Sequence, residues 1–208
     1  MQHRVVRTLA LLVPALCLYG AVSGARSADQ VAPQVVATVC FMCHTERGDN
    51  PYLAFVPRLA AQNSTYILEQ LNAFRDGSRA DPPATMYMWP MVQNLNDEQL
   101  KDAAAWFAAQ PAPKPFPADK SADQGRDIYL KGVLAEDVPA CVTCHGAKAD
   151  GNGIFPRLAS QNAQYLLAQL RYFRAGVRND KGADIMKPIA LHLSESDMDA
   201  VANYLSSL

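Results

Sequence analysis

The sequence predicts an all-α protein made of two similar domains in tandem, and three observations carry that reading. The chain repeats itself: Pro57-Arg58-Leu59-Ala60-Ala61-Gln62-Asn63 recurs as Pro156-Arg157-Leu158-Ala159-Ser160-Gln161-Asn162 at an offset of 99, and the match runs on to Phe74-Arg75 and Phe173-Arg174. Inside the repeat, Tyr66, Leu68, Leu71 and Phe74, matched by Tyr165, Leu167, Leu170 and Phe173, lie close to helical spacing and give each copy an apolar face. A C-x-x-C-H segment occurs once in each half, at Cys40 to His44 and Cys141 to His145, 101 residues apart. No strands are expected.

Along the chain, the first element has the form of an export signal. Arg4 and Arg7 precede an apolar run from Leu9 to about Val22, shorter than the roughly 20 residues that span a bilayer. Ser23 and Ala25 suit the positions before a signal-peptidase cut, with Ala28 as the other candidate, so residues 1–25 are read as a signal peptide. Leu16 before Cys17 fits a lipoprotein cleavage box poorly. The first domain is assigned to 29–110. Its repeat helix stops near Gly77, and its closing helix starts at Asn96 with Gln99 as a capping box and carries Leu100, Ala104 and Phe107 as its buried stripe. Residues 111–120 form a linker. From Gln110 to Pro117 there are four prolines in eight residues, which favours an extended, stiff connector. The second domain, 121–208, opens with a helix from Asp123 through Leu130. Its repeat helix stops at Gly176, and its closing helix is capped by Ser194 with Asp197 and buries Met198, Val201 and Leu205.

Each C-x-x-C-H segment reads as a site of covalent c-type haem attachment. Cys40 and Cys43, then Cys141 and Cys144, would form thioethers, and His44 and His145 would bind iron from the proximal side. A zinc ribbon would set its cysteine pairs roughly 15 to 20 residues apart and needs no His after each. A thioredoxin-like dithiol needs a βαβ context. Disulfides would leave the two histidines unexplained. Cys17 falls in the removable segment, so all four remaining cysteines lie in the motifs, and two haem c groups follow. Export suits them, because this attachment takes place outside the bacterial cytoplasm.

A haem held by one His needs a sixth ligand or an open site. Aligning Leu95-Asn96 with Leu193-Ser194 pairs Met88 with Met186, late in each domain and just before the closing helix. A thioether is a soft ligand that raises the reduction potential. Met88 competes with Met86 and Met91, and either methionine could instead only fill the core. His192 has Asn94 as its counterpart and is read as a surface or structural residue.

These motifs, the paired Pro-Arg-Leu-Ala-x-Gln segments, the Tyr-x-x-x-Gln-Leu helices and the late methionines resemble the cytochrome c4 family over essentially the whole mature chain. The resemblance implies two class I cytochrome c domains about a pseudo-twofold axis, with haem propionate edges facing each other. It also implies that the Pro57 and Pro156 carbonyls accept from the proximal imidazoles. Arg58 and Arg157 are then suited to propionate pairing.

The halves differ. The second has Asp150-Gly151-Asn152-Gly153 before its repeat and the first has Asn50-Pro51-Tyr52-Leu53, expected to be stiffer and more apolar. With Tyr87 and Trp89 beside the methionines, this predicts two distinguishable reduction potentials. From 26 to 110 there are 6 basic and 9 acidic residues, and from 111 to 208 there are 11 of each, which gives nucleic-acid binding no electrostatic support. Arg171, Arg174, Arg178, Lys181 and Lys187 cluster near Met186 and read either as a docking patch for an acidic redox partner or as a solvated face.

The favoured function is a periplasmic carrier that moves electrons between respiratory-chain components toward a terminal oxidase. Its expected partners are redox proteins: cytochrome oxidase, quinol–cytochrome c reductase or a periplasmic dehydrogenase. Peripheral membrane association is compatible with that role. The alternative is the electron-accepting subunit of a periplasmic dehydrogenase or flavocytochrome. No catalytic residue is assigned, because a dihaem peroxidase would need an open iron site and distal acid/base groups.

Overall fold

The structure, a computed structural model, describes residues 31–208, so the expected signal peptide and its candidate cuts at Ala25 and Ala28 lie outside the described residues. In the first half a π-helical turn, Val36–Cys40, runs directly into α1 (Phe41–His44), followed by α2 (Ser64–Arg75). A second π-helical turn, Ala84–Met88, leads into α3 (Trp89–Val92) and then α4 (Asp97–Ala108). The second half contains α5 (Ala122–Lys131), α6 (Val142–His145), α7 (Ala163–Ala175), α8 (Ala183–His192) and α9 (Glu195–Ser206). Among the described residues there is no β-strand, only two isolated bridges.

The closing helices start where side chains replace the missing backbone partners of a first turn. Gln99 N donates to Asn96 Oδ1 and Asn96 N to Gln99 Oε1, both at 2.9 Å. Asp197 N donates to Ser194 Oγ at 3.1 Å, and Ser194 N to Asp197 Oδ2 at 3.4 Å. Each cap contributes about 1 kcal/mol. α7 stops where Gly176 adopts the left-handed conformation at φ 69°, which a side chain would resist. Behind the caps, Leu100, Ala104 and Phe107 of α4 and Met198, Val201 and Leu205 of α9 are buried as the periodicity requires. α9 packs on α5 so closely that a Cβ at Gly125 would lie 2.0 Å from the Ala200 carbonyl oxygen.

The repeat helices depart from a simple apolar stripe. The buried positions of α2 are Ile67, Gln70, Ala73 and Phe74, and those of α7 are Leu166, Gln169 and Phe173; Leu68 and Leu71 are only partly buried. Each helix lies between its own core and the other half, so its second face is polar yet covered.

That junction obeys a pseudo-twofold relation, because equivalent residues exchange equivalent hydrogen bonds. Arg79 donates to Gln70 and Gln169 Oε1 at 2.6 and 2.8 Å, and Arg178 donates to Gln169 and Gln70 Oε1 at 2.7 and 3.1 Å. Asp81 pairs with Arg79 at 2.7 Å and Asp180 with Arg178 at 2.9 Å, all four side chains buried. The guanidinium of Arg79 lies over the Phe74 ring and that of Arg178 over Phe173. The connector is docked on both halves: Phe116 N donates to Ser206 O at 3.0 Å, while Arg58 bonds Lys114 O at 2.8 Å and covers the Phe116 ring.

Candidate haem sites

α1 and α6 each end on the histidine of a C-x-x-C-H segment, and both imidazoles are buried. Nδ1 of His44 meets the Pro57 carbonyl at 3.1 Å, and Nδ1 of His145 meets the Pro156 carbonyl at the same distance. A carbonyl only accepts, so Nδ1 carries the proton and Nε2 presents a lone pair. Burial pushes both imidazoles below the usual His range, outweighing the opposing effect of the carbonyl. A neutral, oriented imidazole with Nε2 free of protein partners among the described residues is the form that binds a metal.

The four thiols form no disulfide. Cys43 and Cys144 are exposed, while Cys40 and Cys141 are partly buried and pushed by that burial up to about 11. A redox dithiol needs a depressed pKa, and burial moves Cys40 and Cys141 the opposite way. As thioether ends they would carry no charge, and burial then costs nothing.

Two different devices hold the loop after each histidine. In the first half Trp106 Nε1 of α4 donates to Glu46 O at 2.7 Å; in the second, Tyr129 Oη of α5 donates to Gly146 O at 2.6 Å. Thr45 occupies a positive-φ position, as Gly146 does in the second half. Its cost, of order 1–3 kcal/mol, is offset by the bond from Thr45 Oγ1 to Asp49 at 2.7 Å. Further on, the buried Asn50 side chain organises the first loop by accepting from Tyr52 N and Leu53 N, whereas the second closes by a backbone pair between Asn152 and Phe155.

The late methionines sort by burial. Met88 is partly buried against Phe74, Ala84, Val92 and Leu100, whereas Met86 and Met91 are 63% and 46% exposed. Met186 is partly buried against Phe173, Ala183 and Ala190. Tyr87 and Trp89 are exposed at the surface beside Met88. His192 is exposed at the end of α8.

The two repeat arginines are not equivalent. Arg58 is buried, with Nε on Asn50 O and Nη1 on Lys114 O and Ser160 O. Arg157 pairs with Asp150, and its Nε is buried without any partner. The free thiols, the unpartnered Nε2 atoms and this orphaned donor are together what a covalently held group with an iron and acidic arms requires.

Comparison with known proteins agrees. Residues 32–110 and 122–208 each match the family model described as Cytochrome c. A cytochrome c4 of Pseudomonas aeruginosa is 37% identical over 95% of this chain and 98% of that protein. The chain belongs to the cytochrome c family, in its cytochrome c4 group. A cytochrome c-552 of Acidithiobacillus ferridurans is 40% identical over 97% of this chain and 88% of its own. The solved cytochrome c4 of Acidithiobacillus ferrooxidans is 41% identical, with a TM-score of 0.76, covering 81% of this chain and 98% of that one. A Stutzerimonas stutzeri relative named thiosulfate dehydrogenase electron acceptor is 35% identical over 90% of this chain and 87% of that protein. As a member of the cytochrome c4 group with two cytochrome c domains, the chain binds two covalent haem c groups and transfers electrons. Among the described residues no helix is long and apolar enough to cross a membrane.

The basic cluster near Met186 is smaller than its sequence implies. Arg178 is buried in the junction, Arg171 and Arg174 both pair with Glu195 at the surface, and the exposed Lys181 reaches Glu69 at 3.5 Å, so that of the five only the exposed Lys187 has no acidic partner among the described residues. The local positive charge is therefore largely compensated by acidic neighbours. Sequence reasoning missed the roles of Gln62, Gln161, Asn63, Asn162 and the Arg79-to-Asp81 and Arg178-to-Asp180 pairs. Their signal was recurrence of polar residues at the offset of 99.

Proposed function

We propose that this cytochrome c4 homologue is an exported two-site electron relay. In this reading residues 1–25 are removed at Ala25 or Ala28, 29–110 and 121–208 each form one electron-transfer domain, and 111–120 link them. Cys40, Cys43, Cys141 and Cys144 hold the haems, His44 and His145 are the proximal ligands, and Met88 and Met186 the distal ones. Arg157 Nε offers a donor to a propionate, and Arg58 retains Nη2 for the same purpose. When bound, each haem supplies a one-electron couple with its potential raised by thioether ligation. The chain's residues orient the imidazoles, keep water from the buried face and hold the two sites in one fixed relation.

The observation that carries the proposal is the matched pair of buried imidazoles, each fixed through Nδ1 to a proline carbonyl at 3.1 Å. A site built for bond chemistry would leave one iron open and surround it with acid/base groups. Delivery toward a terminal oxidase in the periplasm is the favoured route. A second reading, acceptor for a periplasmic dehydrogenase, draws on the relative named for thiosulfate dehydrogenase.

A spectroscopic redox titration of the purified holoprotein, repeated with an oxidase and with a thiosulfate-oxidising dehydrogenase, tests both. Two low-spin His/Met haems with separate midpoints and fast oxidation by the oxidase are expected. A high-spin haem with rapid peroxide turnover would overturn the relay, and reduction by the dehydrogenase alone would select the second reading.

A further inference from the structure

The proximal histidine of each half is fixed by a peptide that the other half holds. Pro57 O receives His44 Nδ1 at 3.1 Å, and the same peptide plane carries Arg58 N–H, which donates to Gln161 Oε1 of the second half at 2.8 Å. Gln161 Nε2 returns a bond to Arg58 O at 2.9 Å, and the neighbouring Asn162 Nδ2 donates to Val56 O at 2.7 Å. The arrangement recurs in the opposite sense. Pro156 O receives His145 Nδ1, Arg157 N donates to Gln62 Oε1 at 2.7 Å, Gln62 Nε2 donates to Arg157 O at 2.9 Å, and Asn63 Nδ2 donates to Phe155 O at 2.8 Å. One N–H and one C=O at each contact leave the glutamine amide a single orientation.

These clamps are built in advance. Each glutamine oxygen also accepts from the next backbone amide, Asn63 N or Asn162 N, at 3.0 Å. The preceding residues, Ala61 and Ser160, sit at positive φ and anchor to their own closing helices through Phe107 O and Leu205 O.

We propose that Gln161 and Asn162 position the proximal imidazole of the first haem, and that Gln62 and Asn63 position that of the second. This rests on the reading of His44 and His145 as the proximal ligands. A trans peptide is planar, so fixing its N–H fixes the direction of its C=O. A peptide that donates is polarised and accepts more strongly at its oxygen. A stronger acceptor on Nδ1–H makes the imidazole a better donor to iron and favours the oxidised state. The junction therefore sets each potential from the opposite domain, and loosening it raises them.

The test uses the dihaem holoprotein with haems assigned by their hyperfine-shifted proton resonances. Gln161→Met should raise the midpoint of the haem on Cys40 and Cys43, shift the His44 ring resonances and speed amide exchange at Arg58, while the haem on Cys141 and Cys144 changes less. Gln62→Met should give the mirror image. Gln161→Glu, which keeps an acceptor for Arg58 N–H, should restore most of the His44 signature and still report if the methionine variant folds poorly. Equal shifts at both haems, or an unchanged His44 signature with exposed Arg58 amide, would overturn the proposal. Loss of proximal His ligation in the parent protein would instead refute the underlying ligand assignment.

Discussion

Arg79 and Gln169, ninety residues apart in sequence, are joined by a hydrogen bond of 2.8 Å inside the junction between the two halves. Around it two arginines, two aspartates and two glutamines are buried together, and the charges cancel within the cluster. Buried ion pairs contribute little relative to an apolar isostere, but breaking one leaves an uncompensated charge.

Arg79→Met is therefore expected to cost about 3–5 kcal/mol, because it strands Asp81, whose Oδ1 already lacks a partner. Arg79→Met combined with Asp81→Leu should recover most of that loss. Denaturant midpoints of the two singles and the double give the coupling; additive losses would refute the pairing.

The acid limb of stability should carry the signature of Asp180. Burial opposes its ionisation, but Arg178 and the Gln70 amide outweigh that and hold the carboxyl below its ordinary range. Its folded pKa is thus lower than its unfolded value of roughly 3.9. The stabilisation is complete above that value and is lost as pH falls through the folded pKa. The stability gap between parent and Asp180→Asn should therefore narrow below about pH 4. A gap that stays constant down to the folded pKa would contradict this.

Gly125→Ala should lower stability by about 1–3 kcal/mol through overpacking. Its Cβ would meet the Ala200 backbone, which cannot swing aside as a side chain could. Thermal unfolding of Gly125→Ala beside an exposed α5 control, Asp127→Ala, separates the close approach from a general helix effect.

Among the three neighbouring methionines, only Met88 should affect ligation. Met88→Ala is expected to remove about half of the long-wavelength band from iron–thioether bonding, in proportion to one haem of two. Met86→Ala and Met91→Ala should leave it intact, since both side chains face solvent. A band lost in either of those variants would move the assignment.

A large part of the fold was legible because it is written in local chemistry. The capping boxes at Asn96 and Ser194, the stop at Gly176 and the stripes of α4 and α9 depend on residues within a few positions of each other, where sequence spacing equals spatial spacing. The C-x-x-C-H segments were legible for the same reason, since one helical turn brings both thiols and the histidine together.

The rest needed the tertiary structure. Spacing alone left Met88 beside Met86 and Met91; only packing against Phe74 and Leu100 sets it apart. It also read Arg178 as surface charge, whereas the second half's junction buries it beside Asp180. The sequence by itself determined that two like domains exist, each with its own thiols and histidine. The tertiary structure alone decided that each domain grips the proline peptide behind the other's histidine. That contact joins residues about a hundred positions apart, and no local propensity records which distant polar groups a docked surface will bury.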